Sequence, residues 1–374
     1  MKYQYLYLIG CSHGIFLSAC LWIRKGMAGR FLAILGLVIS FELFVEYRFT
    51  AYGFSANIVL FHIREALGFL YGPLVFYYVS AVTDSFGGFR MKSLCHLILP
   101  AVYGIAELTV MRGNFINYSA VWAVQTVFCH LKSLVILIYI SFALAELIRY
   151  RRRIDEYFSN TEHISFKWLL IFIPAVFAIV VMGETGVIMR EFGRGYGSAI
   201  INVHFVFIAI AVYGVSYMTF FMPDAYTRIH RMREMSRDAG NDTDAEKRKY
   251  EKSLISDKDR KRHLSELFGL LEREELFLDP DLTIGQVAGK MNIPVNTLSQ
   301  VINSMTGKNF FRFINDYRVA YAEKHLTGDD SEINILSLAY KSGFNSKSAF
   351  YTAFKTRNGV TPLEYMNSRK QPDL

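Results

Sequence analysis

Asn296, Ser299, Gln300 and Asn303 lie at helical spacing, so they would share one face of a helix; Lys347, Ser348, Tyr351, Thr352 and Lys355 do the same further on. Their amides, hydroxyls and amines are groups that read base edges in a DNA major groove or hold phosphate oxygens. Catalytic chemistry has no comparable set. The chain has no HExxH, GxSxG or paired-aspartate intramembrane motif, and His62, His96, His130 and His204 are scattered over separate segments, so no enzyme is expected. Cys11, Cys20, Cys95 and Cys129 lie in or beside apolar runs without CxxC spacing, which argues against zinc or a redox pair; neither metal nor cofactor is implied.

An internal repeat positions the two polar faces. Thr283, Ile284, Val287, Ala288, Asn292 and Ile293 recur 51 residues later as Asn334, Ile335, Leu338, Ala339, Gly343 and Phe344. Thr283 and Asn334 can cap helix starts. The aliphatic residues form a buried face, and Ala288 and Ala339 are small enough for a second helix to cross closely. Asn292 and Gly343 tolerate the left-handed conformation that turns the chain. A second helix follows each turn, with inward stripes Leu298, Val301, Ile302 and Phe350, Ala353, Phe354; the second offset is 52, so that turn is one residue longer. Helix, tight turn and helix, twice, predict two helix-turn-helix units over about 283–305 and 334–357. Between them, Phe310, Phe313, Ile314 and Tyr317 start a long helix to about Leu326 that would fix their spacing. Residues 283–374 hold 11 basic and 7 acidic residues, and Lys308, Arg312, Lys355 and Arg357 are candidate phosphate contacts. Thr361-Pro362 opens a short last helix.

The rest of the chain has a different composition. Of 374 residues 52% are apolar, with a mean hydropathy of +0.22, which excludes disorder and a disulfide-stapled secreted domain. Residues 1–223 carry only 17 of the 41 Lys and Arg and 11 of the 33 Asp and Glu. Within them, apolar stretches at about 3–23, 31–47, 58–82, 93–111, 119–148, 166–189 and 198–222 predict seven membrane-spanning helices; the second and fourth are short, and the fifth is long enough to tilt or protrude. The first stops at Arg24-Lys25 without an A-x-A site and is expected to be a retained span. Basic residues number ten in the loops after spans one, three and five, against five in the N-terminus and the other loops, which places the N-terminus outside and the C-terminal part in the cytoplasm.

Ionisable groups inside spans are costly and turn towards a bundle interior or a cavity. Glu42, Glu46, Arg64, Glu65, Glu107, Lys132, Glu184 and His204, with Gln125 and Asn202, are the candidates for a sensor cavity; five acids against two bases would suit a cationic ligand or a response to pH. The bland alternative is a set of ion pairs that only hold helices together. Residues 224–256 form a connector, with a basic amphipathic stretch at 228–237 suited to anionic headgroups and a turn-rich hinge at 238–244. From Ser256, with Asp259 in capping-box position, a helix restarts on the stripe Leu264, Leu267, Phe268, Leu271.

Residues 282–366 closely resemble the DNA-binding domain of AraC/XylS-type bacterial transcription regulators. The resemblance is carried by LTIGQVAGKMNIPVNTLSQVIN, GKNFFRFINDYRVAYAEKHL and ILSLAYKSGFNSKSAFYTAFKTRNGVTPLEY. It implies a seven-helix domain whose two reading heads enter neighbouring major grooves ~34 Å apart. The family's base-contacting positions fall on Asn296, Ser299, Gln300, Lys347, Ser348 and Thr352. Arg, frequent there in the family, is missing, which implies a target leaning towards A·T, with Asn296 or Gln300 on adenine. Most members carry a soluble ligand-binding domain; this chain is similar to the subgroup with a multi-span N-terminal region.

The expected protein is all-α: a seven-span transmembrane helix bundle over residues 1–223, the 224–256 connector, and a double helix-turn-helix DNA-binding domain over 257–374. It would act as a membrane-anchored one-component transcription regulator. Its partners would be double-stranded promoter DNA, the lipid bilayer, RNA polymerase if it activates, a second copy in a homodimer, and an unknown small-molecule or physical signal. The competing expectation is a multi-span receptor or transporter whose DNA-binding tail serves as a regulatory or chromosome-tethering module.

Overall fold

The structure is a computed structural model that describes residues 3–23, 26–53, 58–83, 95–112, 118–160, 167–193, 196–221, 256–326 and 334–370. Among these residues every long element is an α-helix, as apolar runs of this length and stripes of helical period require. One isolated antiparallel bridge joins Phe158 to Thr283. The chain separates into two compact units: residues 1–149 with 166–223, and residues 150–165 with 224–374.

The first unit consists of α1 (Tyr3–Ile23), α2 (Met27–Tyr52), α3 (Ile58–Gly68), α4 (Tyr71–Val82), α5 (Ile98–Arg112), most of α6 (Tyr118–Tyr157), α7 (Lys167–Glu191) and α8 (Tyr196–Phe221). Among the described residues six stretches are long and apolar enough to cross a membrane, where the sequence predicts seven: Gln4–Ile23, Met27–Tyr52, Val59–Val82, Gln125–Tyr157, Ile171–Glu191 and Tyr196–Val215. Over the fourth predicted span the described residues give a shorter apolar helix, Cys95–Ala106, and α5 itself continues to Arg112. The third predicted span is two helices, because Pro73 cannot donate to the carbonyl one turn back; the chain bridges the break with Phe69 and Leu70 amides bonded to Ala66 and Leu67 carbonyls at 3.3 and 2.9 Å.

Small residues set the closest helix approach. A Cβ on Gly14 of α1 would lie 2.2 Å from the Ser40 hydroxyl of α2, and one on Gly36 would lie 2.4 Å from the Ser18 hydroxyl. Each serine returns its hydroxyl to the carbonyl one turn back, Ser18 to Gly14 and Ser40 to Gly36, both at 2.7 Å, so neither adds an unsatisfied donor. Gly183 of α7 lies likewise beneath the His204 ring of α8.

The second unit adds α9 (Asp257–Glu274), a 3₁₀ turn (Leu276–Leu278), α10 (Ile284–Met291), α11 (Val295–Thr306), α12 (Phe310–Leu326), α13 (Ile335–Lys341), α14 (Lys347–Asn358) and α15 (Pro362–Lys370). Its helices start where the sequence places their caps. The Ser256 hydroxyl accepts from the Asp259 amide at 3.1 Å, Thr283 and Gln286 form a complete capping box, and Asn334 accepts from the Leu336 and Ser337 amides; a cap of this kind contributes about 1 kcal/mol. Asn292 (φ 51°) and Gly343 (φ 84°) take the left-handed turns. At Gly343 a Cβ would also lie 2.6 Å from the Phe277 carbonyl oxygen, so space as well as φ demands glycine.

Two apolar cores result. Leu267, Leu271, Ile284, Val287, Leu298 and Ile302 close the first with Phe310, Phe313 and Ile314 of α12. Leu338, Phe344, Phe350 and Phe354 close the second with Val319, Ala322 and Leu326 of the same helix. Each fully buried aliphatic or aromatic side chain contributes roughly 1.5–3 kcal/mol. One helix thus serves both cores and sets the distance between them.

Candidate nucleic-acid interface and bundle cavity

Burial on one side of α11 and α14 determines what the other side presents. Leu298, Val301 and Ile302 are fully buried, which leaves Asn296, Gln300 and Asn303 exposed and Ser299 half-buried. Phe350 and Phe354 are fully buried, which leaves Lys347, Ser348, Thr352 and Lys355 exposed. The Ser346 hydroxyl caps α14 by accepting from the Ala349 amide at 3.1 Å, a cap that its place before Lys347 could have signalled. Thr352 donates to the Ser348 carbonyl at 2.9 Å, and the Lys347 ammonium stands 5.3 Å from the Tyr351 ring centroid.

The four candidate phosphate-binding cations divide into two pairs. Lys308 forms an ion pair with Asp316 at 2.5 Å, and Arg357 bonds the Asp316 carbonyl and pairs with Glu323 at 3.5 Å, so both are engaged on α12. Arg312 and Lys355 are exposed and have no ion pair among the described residues.

Sequence reasoning passed over Arg318. It is 1% exposed at the middle of α12, and all five of its N–H groups are used. Nε donates to the Phe277 carbonyl at 2.7 Å; Nη1 donates to the Ser159 carbonyl and to Asn315 Oδ1; Nη2 donates to the Ser159 hydroxyl and the Asp279 carbonyl. Among the described residues no carboxylate oxygen pairs with the guanidinium, and burial pulls it down to about 10. An arginine at the polar-looking centre of a helix reads as solvent-exposed from periodicity alone; only the carbonyls gathered around it show otherwise.

In the first unit a cavity of about 700 Å³ brings Glu42, Glu46, Arg64, Glu65, Lys132, Glu184 and His204 to one lining, together with Gln125. The Glu107 side chain lies outside the described residues, as do residues 224–255 of the connector. The charges form a chain across three helices: Glu46 to Arg64 at 3.1 Å, Arg64 to Glu65 at 2.8 Å, Glu65 to Lys132 at 2.5 Å. Tyr71 bonds Glu42, His130 bonds Glu184, and His204 Nδ1 meets the Ile179 carbonyl at 2.8 Å. Tyr71, which also lines the cavity, was not among the expected groups, and His130 reaches it only through its bond to Glu184. The second oxygen of Glu184 is buried without a hydrogen-bond partner. Asn202 is not part of this lining; its backbone carbonyl accepts from Tyr7 at 3.2 Å. Among the described residues no group of His, Cys, Asp and Glu is arranged to hold a metal.

Against known proteins, the helix-turn-helix domain family matches residues 287–368. Over 79 residues the chain is 35% identical to the HTH-type transcriptional activator RhaS of Mannheimia succiniciproducens. That match takes in 21% of this chain and 29% of the activator, so the chain spans less than a third of that relative. No solved structure matches the chain. The C-terminal part of this protein is an AraC-type helix-turn-helix domain, on a chain whose described residues also include six stretches long and apolar enough to cross a membrane.

Proposed function

We propose that the chain is a membrane-embedded one-component transcription regulator that binds promoter DNA through α11 and α14. The observation that carries this reading is the pair of polar helix faces, each backed by its own core and both built on α12. Asn296, Ser299 and Gln300 would read one major groove and Lys347, Ser348 and Thr352 the next, with Arg312 and Lys355 on the flanking phosphates. Lys308 and Arg357, engaged by Asp316 and Glu323, would add less. Promoter DNA, RNA polymerase where the protein activates, and a second copy of the chain are the partners that fit this role.

In the same reading, residues 1–223 form a seven-span bundle, α5 crossing as the shortest span, with the N-terminus outside and the DNA-binding domain in the cytoplasm. The cavity would receive the signal, its unpaired Glu184 oxygen favouring a cationic or hydrogen-bond-donating ligand. A topology reporter fused after Leu374 tests the orientation: activity only in the periplasm overturns it. Full-length protein in lipid nanodiscs, incubated with sheared genomic DNA, tests the function. Enrichment of a few promoter fragments is expected, and uniform, steeply salt-dependent recovery would instead support a chromosome tether. Loss of response in both Glu184→Gln and Arg64→Gln would support the cavity as sensor; unchanged responses in both would reduce it to a structural ion-pair chain.

A further inference from the structure

The stub that ends α6 is seated in the DNA-binding domain. Residues 150–165 belong to the same compact unit as the double helix-turn-helix. Within the stub, Ile154 is buried, Tyr157 packs on the first core beside α9 and α10, and Ser159 is 1% exposed. Every polar group of Ser159 is engaged there. Its amide and its hydroxyl both donate to the Leu282 carbonyl, at 3.1 and 2.6 Å, its hydroxyl accepts from Arg318 Nη2 at 2.9 Å, and its carbonyl accepts from Arg318 Nη1 at 3.0 Å. Phe158 pairs with Thr283, the cap of α10. Asp155 stands within electrostatic reach of Arg312.

Arg318 extends this contact to the second reading head. Its guanidinium stands 5.8 Å from the Phe344 ring centroid, and its Nε would be 3.0 Å from a Cβ on Gly343, in the turn of the second helix-turn-helix. The same guanidinium grips the 3₁₀ turn through Phe277 and Asp279. We propose that Ile154–Asn160 is a plug for a socket centred on Arg318, and that its seating holds the lead-in to the first helix-turn-helix and the turn of the second in one geometry. The plug is continuous with the helix of the fifth apolar stretch, so a change in that helix reaches both reading heads without passing through residues 224–255. Removing it leaves two guanidinium donors of a buried arginine without partners, which a socket formed by the domain alone would not.

Cross-linking and amide exchange test this without any DNA, so their outcome is separate from that of the regulatory reading. Phe158 and Thr283 face each other as a non-hydrogen-bonded antiparallel pair, the geometry in which a disulfide closes readily. In full-length protein lacking its four native cysteines, F158C/T283C in native membranes should cross-link under mild oxidation, which protease nicking of the connector and a non-reducing gel will show. Linkage no greater than in the single-cysteine variants overturns the plug. Ser159→Pro removes the donor to Leu282 and should speed exchange at least tenfold both in Leu276–Thr283 and at the Gly343 and Phe344 amides, with Ser159→Ala giving a smaller rise at the same sites. A rise confined to Leu276–Thr283, or no rise, overturns the transmission to the second head. The cysteine pair keeps the plug testable should Ser159→Pro misfold.

Discussion

Ser40 of α2 sits directly against Gly14 of α1, and Ser18 of α1 sits directly against Gly36 of α2, so two glycine–serine pairs interlock the first two helices at reciprocal positions. Gly14→Ala should destabilise the bundle by about 1–3 kcal/mol, because its methyl meets the Ser40 hydroxyl on a helix that cannot retreat. Ser40→Ala removes that oxygen, and the next atom, the Ser40 Cβ, stands at 3.5 Å. The double variant should therefore regain most of the lost melting temperature in detergent; equal melting of single and double variants would refute the interlock.

Stability and DNA recognition should separate on α11. Ile302→Ala deletes a fully buried side chain and should cost about 2–5 kcal/mol in denaturant unfolding. Gln300→Ala, on the exposed side, should leave unfolding within about 0.5 kcal/mol while weakening binding to an enriched fragment by roughly 1–3 kcal/mol. An equal effect of both on unfolding would place Gln300 in the core instead.

Salt dependence should sort the cations. If Arg312 and Lys355 each neutralise one phosphate, replacing either with Ala should reduce the slope of log K against log salt by about 0.9. Lys308→Ala and Arg357→Ala should change the slope less and unfolding more, since these side chains hold Asp316 and Glu323. Titrations between low and moderate salt would show the order, and the reverse order would exchange their roles.

Acid should loosen two helix starts. The Ser256 hydroxyl donates to Asp259 and holds its carboxyl below the usual range, and the Thr361 amide, then its hydroxyl, does the same for Glu364. A carboxyl whose folded value is depressed contributes stability that is complete above its unfolded value, about 3.9 for Asp and 4.3 for Glu, and lost as pH falls through the folded one. Amide protection at the starts of α9 and α15 should therefore decline below about pH 4, and Asp259→Asn and Glu364→Gln should flatten that decline. Protection independent of pH in the parent protein would contradict the capping argument.

Losing a cap should act locally. Thr283→Ala removes one half of the capping box and should cost about 1 kcal/mol, seen as faster exchange in the first turn of α10. Asn334→Ala should do the same in α13, where two amides depend on its side chain. Changes spread evenly over both cores would show that these residues do more than cap.

Local rules made much of this protein legible in its amino acids. Thr283 and Asn334 announce helix starts, Asn292 and Gly343 announce turns, and the Leu298-Val301-Ile302 stripe determines which side of α11 faces water; each depends on neighbours within a turn or two. Chain-wide composition likewise separates an apolar part from a charged one. What adjacency in sequence could not show was which distant groups meet. The break before Pro73 and the reciprocal glycine–serine contacts depend on particular side chains within runs that hydropathy averages together. The expected cavity residues were named one by one for their cost in lipid, yet their connection into one chain from Glu46 to Lys132 belongs to the packing. Arg318 is the clearest case. Its five donors are matched by carbonyls and a hydroxyl from segments as far away as Ser159, and a buried cation is tolerable only where folding has already brought such acceptors together.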